Sequence, residues 1–305
     1  MPHARVVSHR SVNPLPQPTG CVMYRMMHRV SRRASPRSLT HAIVCMSALA
    51  LSPVATEDIH AQPTPGVTRR YRIDSKTQQA VDAAAIGAGR QQSVTDRSAF
   101  LRITVMDSAG GKALRFVLDS IVHRGTDLPP GTVATSDSAR GKAWTAFMAA
   151  DGRVTLSSRA ENSGALGLAI EGQLDDFFPR VTNGFKTEDR WTASTERSQR
   201  VPNGELMVKR TTSYAAMGEA MQDGVRAARL DMTFTTATNG SQKFGATPAT
   251  VDGKSMGSGS AFITAAGVYL GGMRTEKTDR RLLLAGAPAP VVIEAESISV
   301  ITLLK

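Results

Sequence analysis

Residues 101–118 read LRITVMDSAGGKALRFVL. Apolar side chains alternate with polar ones from residue 101 to residue 105, and an apolar residue again occupies every second position from Leu114 to Leu118. Such a period of two is typical of antiparallel strands that have one buried and one wet face. Gly110-Gly111 lies between the two segments and favours a tight turn. The stretch therefore predicts a β-hairpin.

The same pattern extends outward along the chain. It recurs at Leu230, Met232 and Phe234, and residues 291–304 form a long β-branched run in which Glu294 and Glu296 share one face. Further turns are predicted at Asp151-Gly152, Asn203-Gly204, Asn239-Gly240 and Ala266-Gly267. We expect about nine or ten strands on this basis.

One segment has a helical period instead. An apolar stripe at helical spacing is formed by Leu166, Ile170, Leu174 and Phe177/Phe178. Asn162 or Ser163 can cap the start, and Pro179 marks the exit, so a helix is predicted near 163–178. Because a lone amphipathic helix must cover its stripe with a sheet, the predicted fold class is α+β. The expected architecture is a curved, half-barrel-like antiparallel sheet packed around this one helix.

The N-terminal residues 1–61 have the layout of a secretory signal peptide. Five arginines between residues 25 and 37 precede an apolar run from Ala42 to Ala55, and a polar stretch ending at Ala61 follows it. A run of 14 residues is shorter than the roughly 20 that a membrane-spanning helix needs. We therefore expect export to the periplasm or the extracellular space, with no transmembrane span.

Alternatives remain open for this leader and for the division of the chain. The true start can lie at Met23, Met26 or Met27; Arg32-Arg33 allows a twin-arginine route, and Cys45 a lipid attachment. Beyond the leader, residues 62–95 are expected to form an N-terminal segment with the first strand. Residues 96–305 are expected to form the β-rich domain.

Composition excludes several classes of protein. Both cysteines and five of the six histidines lie in the leader, so an exported chain has no disulfide and only His123 as an imidazole. The net charge of +11 falls to about +6 without the leader, and no long basic run is present. Because aromatic residues make up only 5% and do not alternate with basic ones, nucleic-acid binding is not expected.

The motif Phe178-Pro179-x-Val181, followed by Gly184 and Trp191, resembles a loose group of uncharacterised secreted bacterial β-rich proteins. The Gly-rich stretch 257–262 is similar to hairpin entries of that group. In outline these proteins are similar to the half-barrel carriers of lipoproteins and lipids in the periplasm. The resemblance implies a non-catalytic binding role and transfers no site residues.

No catalytic or metal constellation emerges from the sequence. Residues 251–255, VDGKS, lack the upstream glycine of a phosphate loop, since Pro248 occupies its place, and a β-turn is expected there. His123 has no nucleophile signature beside it and is interpreted as a surface histidine. Asp175 and Asp176 are adjacent on the predicted helix, so their side chains are expected to diverge. No cofactor and no metal are predicted.

The sequence thus favours a non-enzymatic, exported cell-envelope protein that binds an apolar ligand, such as a lipid or lipoprotein, or an envelope partner. The expected ligand-binding residues are Leu166, Ile170, Leu174, Phe177, Phe178 and Trp191. One alternative is a structural or interaction module without a ligand pocket. A second alternative is a carboxylate-based hydrolase assembled from distant segments.

Overall fold

The computed structural model describes residues 63–124, 132–181 and 185–305. The predicted signal peptide and Gly184 lie outside these residues. The described strands are β1 (Thr68–Asp82), β2 (Arg90–Ser108), β3 (Gly111–Arg124), β4 (Ala143–Ala149), β5 (Val154–Ser158), β6 (Arg190–Val201), β7 (Gly204–Gln222), β8 (Val225–Phe244), β9 (Thr247–Ile263), β10 (Tyr269–Leu284) and β11 (Val291–Leu304). The described helices are α1 (Thr132–Ala139), α2 (Gly164–Leu174) and a 3-10 turn (Ala84–Ile86).

All eleven described strands form one antiparallel sheet, in the order β5-β4-β3-β2-β1-β11-β10-β9-β8-β7-β6. The first and last strands meet in its middle, with Tyr71 opposite Leu303 and Ile73 opposite Ile301. The two edge strands, β5 and β6, are consecutive in the chain but lie at opposite ends of the sheet. The chain between them, which contains α2, must therefore cross from one edge to the other. We call residues 159–181 the crossing segment.

The fold class predicted from the sequence is wrong. The structure is mostly β, a curled eleven-stranded half-barrel, and not an α+β fold with one packing helix. The sequence argument assumed that a helix had to cover the sheet. Residues of the crossing segment do pack against the curled sheet, but the eleven strands make up most of the described chain, so one helix does not set the fold class.

The predicted period of two is confirmed on the strands. Leu101, Ile103, Leu114, Phe116 and the other apolar members of the alternating runs are buried on one side of the sheet, which we call the inner face. Glu294 and Glu296 are exposed on the opposite, outer face of β11. The register between β2 and β3 pairs Ser108 with Gly111, so the hairpin turns at residues 109–110, one residue before the predicted glycine pair.

Two predicted turns are strand instead. Asn239-Gly240 lies inside β8, where Gly240 pairs with Val251, and the chain turns only at Gly245. Residues 251–255 lie inside β9 rather than in a β-turn. A local glycine cannot turn the chain where both neighbouring strands continue past it and supply ladder hydrogen bonds.

The helix α2 is shorter than its predicted range. Ser163 occupies the N-cap position, as expected, but its side chain makes no capping hydrogen bond. The helix ends at Leu174, because Pro179 disfavours helical backbone at Phe178 and the preceding turn unwinds. Phe177 and Phe178 therefore follow the helix, and α1 is a helix that the sequence analysis did not predict.

The inner face holds two apolar clusters. The larger one combines strand residues with the crossing segment, and its centre is aromatic: the ring of Phe177 lies 5.1 Å from Tyr71, 5.0 Å from Phe178 and 5.9 Å from Tyr269. The smaller cluster is made of Ala83, Leu206, Val251, Leu282 and Val291. Together these two clusters form the packed apolar interior of the described chain.

Candidate ligand chamber on the inner face

A chamber of about 210 Å³ separates the two apolar clusters. On β9, its wall residues Gly253 and Ser255 lie between Val251 of the smaller cluster and Ala261 of the larger one. Its charged wall residues are Asp176, Arg197, Arg210, Lys254, Arg274, Glu276 and Arg280. The chamber thus places a polar, mainly basic layer between two apolar ones.

The helix α2 is held beside this chamber by the buried carboxylate of Glu171. The Trp144 Nε1 of β4 donates a 2.9 Å hydrogen bond to Oε2, and the Arg200 Nε of β6 donates a 3.0 Å bond to Oε1. The Nε of Arg159, which follows β5, lies 3.9 Å from the same carboxylate. One side chain of α2 thereby connects both ends of the sheet, since β4 and β6 lie near opposite edges.

The end of the crossing segment is fixed by Arg180. Its guanidinium donates to the Ser194 carbonyl of β6 at 2.8 Å and to Asp151 Oδ2, in the β4–β5 turn, at 3.0 Å. The Trp191 Nε1 donates to the Arg180 carbonyl at 2.8 Å, and the Trp191 ring stacks on Tyr214 at 5.3 Å. Trp191 therefore holds the segment by both a hydrogen bond and ring contact.

One arginine contacts both Asp175 and Asp176, although only Asp176 lines the chamber. Arg197 of β6 contacts both, with its Nε 3.4 Å from Asp175 Oδ2 and its Nη1 2.7 Å from Asp176 Oδ2. Arg210 Nη1 lies 3.4 Å from the same Asp176 oxygen. Asp175 is the C-cap of α2 and has helical backbone angles, so Arg197 reaches the neighbouring carboxylates through different nitrogens of its guanidinium.

The pKa values of the two carboxyl groups shift in opposite directions. Burial raises the pKa of Asp175 above its usual value, and Arg197 only partly offsets this. Burial also opposes ionisation of Asp176, but Arg197 and Arg210 outweigh it and hold the pKa of Asp176 below its usual value. The pair is engaged by arginines, an arrangement that does not favour the carboxylate-hydrolase alternative.

Arg274 is a further arginine that contacts the crossing segment, and Arg210 makes a second contact within the sheet. Arg274 Nη2 donates to the backbone carbonyl of Asp176 at 2.7 Å. The Arg210 guanidinium carbon lies 3.8 Å from the centre of the Phe234 ring, a cation–π contact. Gly257 makes room for this ring, because a Cβ there would lie 2.4 Å from Phe234 Cζ.

Arg280 differs from the other chamber arginines. Within the described part of the chain it makes no hydrogen bond and no ion pair, and its Nε is buried without a partner. Burial lowers the pKa of Arg280, and Glu276 is the charge that opposes this shift. The hydroxyl of Thr236, on β8 opposite Ser255 of β9, is likewise buried without a partner. Arg197 Nε also makes no hydrogen bond, but it lies 3.4 Å from Asp175, so Arg280 Nε and the Thr236 hydroxyl are the polar atoms of the chamber left without a partner, which is costly unless something else binds them.

The structure places the expected ligand-binding residues in two groups. Ile170, Leu174 and Phe177 line the chamber. Leu166 and Phe178 are buried in the larger cluster, and Trp191 packs against it; none of these three lines the chamber. Sequence reasoning missed the arginines on β7 and β10, although they share a period of two with inner-face residues such as Val208 and Leu282.

His123 is on the inner face of β3 rather than in a surface loop. Its Nε2 and the Ser136 Oγ of α1 are 2.9 Å apart, and its Nδ1 is buried without a hydrogen-bond partner. Burial lowers the pKa of His123, and Arg97 lowers it further. In the described ranges, no group of three or more histidine, cysteine or acidic residues is placed to hold a metal ion. None of the described helices has the length and apolarity to cross a membrane.

No protein-family model matches this sequence, and no curated protein matches it. Solved structures align with it at low scores. A mutant of the Rh. blastica porin is 11% identical with a TM-score of 0.25, covering 77% of this chain and 100% of the porin. An outer membrane channel from Pseudomonas putida F1 is 6% identical with a TM-score of 0.23, covering 83% of this chain and 100% of the channel. Alignments at such scores establish neither a shared fold nor a shared function.

Proposed function

We propose that this chain is a non-enzymatic, exported protein of the cell envelope that binds a ligand in the chamber between the crossing segment and the sheet. The observation that carries the proposal is a cavity whose wall leaves the Arg280 Nε and the Thr236 hydroxyl without partners. A folded interior rarely leaves buried polar groups unpaired, whereas a binding site does so until its ligand arrives. The carrier role implied by the resemblance fits this reading.

Within this proposal the expected site residues have two roles. Ile170, Leu174 and Phe177 supply the apolar contacts of the ligand, because they line the chamber. Leu166, Phe178 and Trp191 do not line the chamber. They contribute to ligand binding indirectly, by packing the crossing segment into the larger cluster. A lipid or the acyl part of a lipoprotein is the ligand that the apolar contacts favour.

The outer face of the sheet supports a position in water rather than in lipid. Charged pairs lie on this face. Lys277 Nζ of β10 is 2.7 Å from Glu296 Oε1 of the neighbouring β11, and within β8 Arg229 Nε is 2.8 Å from Asp231 Oδ1. Charged side chains facing hydrocarbon cost several kcal/mol each, about 2–4 for Lys or Arg at the midplane. The export that we propose rests on the predicted leader.

Native mass spectrometry and lipid extraction of the protein purified from exported material test the proposal. A stoichiometric adduct is expected on the wild-type chain. Ser297→Phe fills the chamber, since Ser297 lines it, and should abolish the adduct. Ile298→Phe is the matched control, because Ile298 is exposed on the outer face of the same strand. An adduct that survives in Ser297→Phe, or a bare wild-type mass, contradicts binding in this chamber.

An interaction module remains the second candidate, favoured by one observation. Apolar side chains are exposed on the outer face of neighbouring strands, with Met273 opposite Val300 in the register of β10 and β11, and Ile298 two residues away. Such a patch suits contact with an envelope partner. A Met273→Lys variant that keeps the adduct but loses association in crosslinking on intact cells would assign the two functions to separate faces.

A further inference from the structure

The chamber has more basic than acidic side chains, and only some of them are paired. Five basic residues face two acidic ones along the wall. Asp176 pairs with Arg197 and Arg210, while the Glu276 carboxylate accepts a hydrogen bond from Ser255. Among the described residues of the wall, Lys254, Arg274 and Arg280 make no ion pair. Lys254 is exposed and Arg274 donates to the Asp176 carbonyl, so Arg280 is the half-buried side chain with neither an ion pair nor a hydrogen bond.

The surroundings of Arg280 keep its guanidinium available. In the register of β9 and β10 it lies opposite Gly253, where a Cβ would come 3.3 Å from the Arg280 Cγ. The next inner positions on the same two strands are Thr278 and Ser255, both of which line the chamber, as does Thr236 beyond them. The glycine therefore leaves room for the arginine, and hydroxyl groups surround the space that its charge reaches.

A half-buried arginine without a hydrogen-bond partner is unfavourable, because burial disfavours the charged form and the charge of Glu276 offsets this only in part. A guanidinium offers five N–H donors in a planar fork that matches carboxylate and phosphate oxygens. The unpaired hydroxyl of Thr236 adds a sixth donor to the same chamber. A polar but neutral ligand would satisfy the hydroxyl and leave the charge unmatched.

We propose that the chamber receives the anionic group of an amphipathic ligand, a carboxylate or a phosphate, at Arg280, with the apolar part of the ligand against Ile170, Leu174 and Phe177. This inference rests on the proposed binding function and narrows its ligand from apolar to amphipathic and anionic. Arg280 supplies the ion pair, and the Thr236 hydroxyl donates a hydrogen bond to an anionic oxygen.

Isothermal titration calorimetry on the exported protein tests this with four probes: octanoate, octyl phosphate, 1-octanol and inorganic phosphate. Octanoate or octyl phosphate should bind more tightly than 1-octanol, which has the same chain without the charge. Arg280→Gln should weaken the affinity for the anionic probes by about tenfold or more, since a charged hydrogen bond is lost. The affinity for 1-octanol should stay unchanged. Comparing the first two probes distinguishes a carboxylate source from a phosphate source.

Arg281→Gln is the matched control, because Arg281 is the next residue of β10 and is exposed on the outer face. It should bind all four probes as the wild type does. Thr236→Val is a second variant, in which valine has nearly the shape of threonine but no hydroxyl. It should weaken the affinity for the anionic probes several-fold, and it tests the site even if Arg280→Gln folds poorly.

Equal binding of octanoate by wild type and Arg280→Gln overturns the anionic site, and so does 1-octanol binding as tightly as octanoate. Either result leaves the proposed ligand-binding function intact. If none of the probes binds, the anionic site is overturned, whereas the proposed function fails only if the exported protein also carries no adduct.

Discussion

The indole of Trp144 on β4 donates a 2.9 Å hydrogen bond to the carboxylate of Glu171 in the middle of α2. Arg200 of β6 donates to the same carboxylate, so one buried acidic side chain links the crossing segment to both ends of an eleven-stranded sheet. The two edge strands do not pair with each other in the described structure. The crossing segment and its charged contacts bridge the two ends of the sheet instead.

Glu171→Gln is expected to lower the free energy of unfolding by about 2–3 kcal/mol. Removing one partner of a buried ion pair costs about 3–5 kcal/mol, and the lower figure reflects the partial exposure of Arg200, whose side chain is 32% exposed. Urea denaturation at neutral pH measures the change. Glu219→Gln is the control, because Glu219 pairs with Arg226 in an exposed position and should change stability by less than about 0.5 kcal/mol. Equal effects of the two variants would contradict the anchoring role of Glu171.

Asp175→Asn and Asp176→Asn are expected to change stability in opposite directions at neutral pH. The pKa of Asp176 in the folded state lies below its usual value, so its contribution is present above the unfolded carboxyl pKa of about 4 and is lost as the pH falls through the folded value. Asp176→Asn should therefore destabilise by about 2–4 kcal/mol at pH 7 and flatten the acid limb of the stability curve.

The pKa of Asp175 is raised in the folded state, so stability is lost as the pH rises from the unfolded carboxyl value through the folded one. Asp175→Asn should then stabilise the protein at pH 7, on the order of 0.5 kcal/mol, because Arg197 still offsets part of the burial. Urea denaturation from pH 3 to pH 7 separates the two residues. A loss of stability of similar size in both variants would show that the pair acts as one unit toward Arg197.

Arg180→Ala is expected to loosen both edges of the sheet at once. Arg180 joins the Asp151 carboxylate beside β5 to the Ser194 carbonyl of β6, and its side chain is only 15% exposed. Losing these two charged hydrogen bonds should cost about 2–3 kcal/mol. Hydrogen exchange should speed up at residues 150–154 and 190–195. Arg153→Ala, at an exposed neighbouring position, should leave both regions protected. Faster exchange at one edge alone would contradict a bridge between them.

Local patterns in the sequence predicted much of the secondary structure. The alternation at Leu101–Val105 and Leu114–Leu118 predicted two strands and their turn, because side-chain period and turn glycines are local properties. The same reasoning predicted the start of α2 at Asn162 or Ser163, and Ser163 is the N-cap, but it extended the helix to about residue 178, beyond its end at Leu174. It was wrong at Asn239-Gly240, where pairing with the flanking strands overrides the turn preference of the dipeptide.

The chamber was only half predicted. Ile170, Leu174 and Phe177 line it and were among the expected ligand-binding residues, because an apolar stripe at helical spacing is visible in a single segment; their role in binding stays a prediction. Arg274 and Arg280 were not among them, because β10 carries charges on both of its faces: Lys277, Asp279 and Arg281 alternate with the inner residues. A period of two shows that a strand has two faces, but it cannot say which face is inner when neither is wholly apolar.

The sequence by itself determined the strands, most of their turns and the apolar stripe of the crossing segment, since these depend on neighbours within a few residues. Only the tertiary structure decided that β1 pairs with β11, and therefore that β5 and β6 become edges and α2 must cross between them. It also decided that Arg197, Arg210 and Arg274 converge on the turn at Asp176 and that Arg280 lies across from Gly253. Pairing between strands more than 200 residues apart is set by the shared burial of their inner faces, which no local pattern contains.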